Sequence, residues 1–196
     1  MFGTSLLLKN KQAVFESKNQ AGLWKRYVLE FFIVGVVGIA VFGALSVTDF
    51  TWQSVGERMW KVLVVYWDSL LICLPSLFVF SIIRGSRITL AELLFYVVGA
   101  MAIIGVVLLS IAPIIGFFAW TTDIPETMQF ISVVVGGIAL IFGINYIGQG
   151  YTFIHGLRPS GDMAKKLSKD FLLLWFILLA AVMLQMANQL GLLGQA

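Results

Sequence analysis

"YWDSLLICLPSLFVF", residues 66–80, decides how this chain is read. Nearly every side chain in it prefers hydrocarbon to water. Yet Asp68 stands inside it and Pro75 interrupts it. A soluble core segment of this kind ends after a few residues, but here the apolar character runs on to Ile83. It therefore reads as a membrane-spanning helix, in which Pro75 implies a kink and not a break. A carboxylate in such a helix is a functional candidate until a structural partner is found for it.

The rest of the chain agrees. Of 196 residues, 60% are hydrophobic and 12% charged, against roughly 25% charged in an ordinary soluble domain. Mean hydropathy is +0.96. One soluble core cannot hide that much apolar surface. The expectation is an all-α, polytopic membrane helical bundle. Five stretches have the roughly 20 apolar residues a span needs: 27–47, 60–83, 90–118, 128–148 and 171–190. The third is long, and Pro113 with Gly116 is expected to bend or end it near the far surface.

Charge gives the orientation. Of thirteen Lys and Arg, five precede the first span, two lie between the second and third, and four lie between the fourth and fifth. Only Arg58 and Lys61 fall on the opposite side. The positive-inside rule then puts the N-terminus in the cytoplasm and the C-terminus outside. Residues 1–26 mix Phe2, Leu6, Leu7, Val14, Phe15 and Leu23 with basic side chains. They read as an interfacial amphipathic segment against anionic lipids, ahead of a membrane domain over 27–196.

Chemistry is sparse. One His and one Cys build no His/Cys metal site by themselves. The nucleophile-elbow, Walker A, H-E-x-x-H and C-x-x-C patterns are all absent. No enzyme, cofactor, metal or nucleic-acid partner is expected. Glu92 reads as the N3 member of a capping box begun by Thr89, and Glu30 as the i,i+4 partner of Arg26. Asp68 is left. Sixteen residues separate it from Arg84, about 24 Å of helix, which puts it in the outer third of a ~30 Å core. Gln185, fifteen residues past Asp170, comes out at a similar depth of about 22 Å. A hydrogen bond between these two would tie the second span to the fifth. Lys61, two turns outward, is a second candidate partner. A hydrated pathway or ligand site at Asp68, and plain snorkelling toward the surface, are the alternatives. Water-filled access would favour transport; a dry contact with Gln185 would favour a scaffold. Asn145 is expected to help pack the fourth span. Gly136, Ala139, Gly143 and Gly150 form a small-residue stripe on it that lets helices approach closely, and Gly105, Ala112 and Gly116 repeat the device on the third.

Two segments, "LLICLPSLFVFSIIRGSRITLAELL" (70–94) and "LLSIAPIIGFFAWTT" (108–122), together with "LQMANQL" (184–190), resemble uncharacterised bacterial five-span membrane proteins that are distantly similar to the Yip1-like superfamily. The resemblance implies five spans, a cytoplasmic N-terminus and no catalytic residues. The tyrosine-glycine-proline signature of the eukaryotic members is missing, so a role in membrane traffic does not carry over. The expected function is an anchor, scaffold or small subunit of a membrane assembly, with other subunits or a second copy as partners. A homo-oligomeric channel or transporter using Asp68 is the alternative.

Overall fold

The computed structural model describes residues 21–47, 51–83, 89–122, 124–156 and 162–192. The expected amphipathic segment over 1–26 lies mostly outside these residues; its last part, from Ala21, is already the first turns of a helix. Five helices make up the described chain: α1 (Ala21–Leu45), α2 (Trp52–Ile83), α3 (Leu90–Thr121), α4 (Pro125–Gly156) and α5 (Asp162–Gln189). The first four are long and apolar enough to cross a membrane; the described apolar part of α5, Leu173–Gln189, is shorter.

Local chemistry sets the helix ends. Before α2, the Thr51 hydroxyl accepts from the Ser54 amide at 3.3 Å, so the helix starts eight residues ahead of the apolar run. α3 opens on the capping box read from the sequence. The Thr89 amide donates to the Glu92 carboxylate at 2.7 Å, and the Glu92 amide donates to the Thr89 hydroxyl at 3.3 Å. α5 closes with Gly191 at φ +68°. The Gly191 amide donates to the Asn188 carbonyl and the Leu192 amide to the Ala187 carbonyl, the paired bonds of a Schellman cap. Arg26 and Glu30 pair at 3.3 Å. Of the two expectations for Pro113, a bend or an end, the end is not found. α3 runs through it to Thr121, and the last turn closes with the Thr122 amide donating to Phe118. Proline removes one backbone donor, but the apolar residues beyond it still gain from packing as helix. α2 is likewise continuous through Pro75.

α3 is the most buried of the four long apolar helices. In its apolar window 61% of residues are buried, against 33–44% in the other three long helices. It packs between α1 and α4; α2 packs against α1 and α5. Among the described residues α4 and α5 touch only lightly, so there the ring of helices α5–α2–α1–α3–α4 closes on a loose seam. At the α1–α3 crossing, backbone meets backbone. A Cβ on Gly38 would lie 2.1 Å from the Gly105 carbonyl oxygen, and one on Gly105 would lie 2.8 Å from the Gly35 Cα. Only glycine permits that approach, and it maximises the dispersion contacts that hold helices together in lipid. Large side chains such as Phe32, Leu71, Ile83, Phe117, Phe130 and Ile177 are exposed around the outside. A soluble protein would bury such a girdle; a bilayer provides its solvent.

Candidate functional site

The polar residues of α2 mark where the bundle departs from simple packing. Asp68 is half-buried, and among the described residues it has no hydrogen-bond or ion-pair partner. Lys61 turns outward and pairs with Glu57 at 2.6 Å, one turn back along the same helix. Gln185 is exposed on α5. The bond expected between Asp68 and Gln185 is not made. The register of α2 against α5 explains this. The buried Trp175 indole donates to the Cys73 carbonyl at 3.1 Å, which brings those two residues level. Five residues toward the outer end, Asp68 is then level with Ala180, while Gln185 is about 7.5 Å further along the helix. The depth argument took Asp170 as an inner boundary, whereas α5 begins at Asp162.

A hydrogen bond does tie α2 to α5, but Trp175 supplies it. A helix carbonyl has two lone pairs, so the Cys73 oxygen can accept side-chain donors in addition to its place in the helix. The Cys73 carbonyl, two residues before Pro75, also takes the Ser76 hydroxyl at 2.7 Å. The sequence signal was a lone aromatic with a donor inside the apolar run 171–178. In lipid a buried indole N–H needs an acceptor.

The α4 stripe is buried, though it works differently from the expectation. A Cβ on Gly136 would meet the Tyr66 hydroxyl at 2.7 Å, one on Gly143 would meet the Ile104 side chain at 2.7 Å, and one on Gly150 would meet the Tyr96 ring at 2.6 Å. Ala139 is fully buried. These small residues are sockets for side chains of α2 and α3. Tyr146 of α4 returns the contact, its ring lying 2.7 Å from where a Gly99 Cβ would be. On α3, Gly105 and Ala112 face inward and Gly116 lies beside Leu45. Asn145 is exposed on the outer face of α4 and takes no part in this packing. Pro113 is exposed and lines a shallow groove with Leu45, Gly116 and Trp120.

A cleft of about 200 Å3 opens where α2, α4 and α5 meet. Its walls are mostly aliphatic, among them Val62, Leu140, Met183 and Leu184, and Leu192 of the Schellman cap lines its end. Arg58 lines the same cleft. Its Nε is sealed from solvent without a hydrogen-bond partner, and no carboxylate among the described residues pairs with it. The Ser46 and Ser132 hydroxyls on the lining donate to their own helices, to the carbonyls of Gly43 at 2.9 Å and Met128 at 2.7 Å. Asp68 is not part of the lining. Among the described residues no cluster of three His, Cys, Asp or Glu is placed to hold a metal ion.

Fold and surface together define a multi-pass helical membrane protein. Comparison with protein-family models, with curated proteins and with solved structures gives no match.

Proposed function

We propose that this chain is a five-span, non-enzymatic membrane subunit, with its N-terminus in the cytoplasm and its C-terminus outside, that anchors or scaffolds an assembly in a bacterial cytoplasmic membrane. The observation that carries the reading is how the interior is filled. Met101, Ile104, Leu108 and Ile115 of α3 are each at most 2% exposed, and α1 meets α3 backbone to backbone. A conducting path needs polar groups and water along its length; a tightly packed apolar α1–α3 core suits a rigid anchor whose working surfaces lie on its flanks. The count of basic residues supports the orientation, and the resemblance to five-span bacterial proteins supports the number of spans. Purification in a mild detergent at native expression level, followed by identification of co-purifying chains, tests the reading. The expected result is a discrete complex larger than one chain in its micelle. A solitary chain that conducts ions in proteoliposomes, and stops when Asp68→Asn is introduced, would instead establish the transport alternative.

A further inference from the structure

The cleft between α2, α4 and α5 holds a cation without a partner among the described residues, in a groove whose walls are mostly aliphatic. We propose that it is a binding site for one anionic phospholipid, whose phosphate sits on Arg58 and whose acyl chain lies along α4 and α5. The inference is independent of the scaffold reading.

Three features select this occupant. The first is charge. Arg58 is half-buried on the cleft lining, and its Nε is sealed from solvent without a partner, which leaves one polar group of the cation unsatisfied. A phosphate satisfies it, since the fork of N–H donors matches phosphate oxygens two at a time. The lining serines already donate to their own helices, so Gln129 and the Tyr66 hydroxyl are the remaining donors beside Arg58. The second feature is size. One turn of helix, about 10 Å across and 5.4 Å tall, fills roughly 420 Å3. A cleft of about 200 Å3 excludes it, whereas an acyl chain one carbon wide enters. The third is length and depth. On α4 the lining runs from Gln129 to Leu140, about 16 Å of helix, which is close to one leaflet's half of a ~30 Å core. Arg58 stands at the end of the bundle that also carries exposed Trp52 and Trp60, the level at which phospholipid head groups lie. The loose α4–α5 seam gives a chain a lateral way in from the bilayer.

A snorkelling arginine is the simpler account of a cation near a membrane surface. It would leave Arg58 half-buried with its outer nitrogens in the head-group region and no preference for one lipid at the cleft; a bound phosphate on those nitrogens gives a preference that Arg58 controls.

The test is native mass spectrometry of the full chain released from nanodiscs containing equal phosphatidylglycerol and phosphatidylcholine, read as the ratio of the two bound lipids. The wild type is expected to favour the anionic lipid roughly tenfold, as one charge-assisted contact warrants. Arg58→Gln should abolish the preference while keeping an acyl-chain occupant, and Arg58→Lys should keep part of it. Gly137→Leu projects from open space on the cleft lining and should expel both lipids without unfolding the chain. It therefore keeps the proposal testable if Arg58→Gln folds poorly. Equal binding of the two lipids by the wild type would overturn the proposal, as would an unchanged ratio in Arg58→Gln or retention of lipid in Gly137→Leu. So would thermal protection by inorganic phosphate equal to that by the lipid, or Asp49→Asn or Asp123→Asn removing the preference as fully as Arg58→Gln, which would make a loop carboxylate the counter-charge.

Discussion

Replacing Gly38 with alanine adds one methyl group where α1 and α3 are closest. That carbon would lie 2.1 Å from the Gly105 carbonyl oxygen, 2.4 Å from its carbonyl carbon and 2.6 Å from its Cα. All three are backbone atoms held in a helix, so no rotamer change relieves the clash. Ordinary contact begins near 3.4 Å, so the two helices must move apart by roughly 1 Å. A gap of that size forfeits a quarter to a half of each contact worth ~0.1–0.2 kcal/mol. Over roughly 40 atom pairs at the crossing, the loss is about 2 kcal/mol. Overpacked cores independently give 1–3 kcal/mol. Gly137→Ala is the control: its Cβ meets nothing within 4 Å, and any gain in helix propensity is common to both substitutions. Reversible unfolding in mild detergent titrated with sodium dodecyl sulfate, followed by tryptophan fluorescence, measures both. Gly38→Ala should be about 2 kcal/mol less stable than Gly137→Ala. A difference within 0.5 kcal/mol would refute the backbone contact as the bond between α1 and α3.

Trp175→Phe keeps most of the ring and deletes the donor to the Cys73 carbonyl. It should cost about 0.6–1.7 kcal/mol in the same titration, the range for hydrogen bonds between membrane helices, whereas no change would mean that the carbonyl gains nothing from the indole. Asp68→Asn should leave stability within about 0.5 kcal/mol of wild type, because no partner of Asp68 is lost among the described residues; a larger drop would reveal a contact made elsewhere. Gly143→Leu should be clearly less stable than Gly137→Leu, since the Ile104 side chain occupies the Gly143 socket; equal melting temperatures in detergent would remove the socket argument. Cysteines placed at Ser54 and Thr122 should react with an impermeant thiol reagent on intact cells, with little background because Cys73 is 1% exposed. Labelling only after permeabilisation would reverse the orientation.

The helices were legible because length and hydropathy are properties of the chain alone. The capping box at Thr89 and the Arg26–Glu30 pair were legible because both are local, within four residues. Contacts between helices were not. Asp68 and Gln185 look paired when depth is counted from loops, but a few residues of continued helix beyond the apolar run shift the register by more than a side chain's reach. The α4 stripe was visible as a pattern, yet the pattern cannot say whether a glycine admits a backbone or a tyrosine. Gly35 and Gly38, which make the closest helix contact, lie in a run of apolar residues with the same composition as their surroundings. Arg58 was counted only as a charge on one side of a membrane. Its cleft is assembled from residues more than a hundred positions apart, and only the folded chain brings them together.

The number of spans is the central claim, and α5 is the helix on which it rests. Single cysteines at Ser168, ahead of the apolar part of α5 (Leu173–Gln189), and at Gln195, beyond the helix end, bracket that part. If it crosses the bilayer, Gln195→Cys labels from outside intact cells and Ser168→Cys labels only after permeabilisation. If both label from the same side, α5 does not span, and the five-span account is wrong.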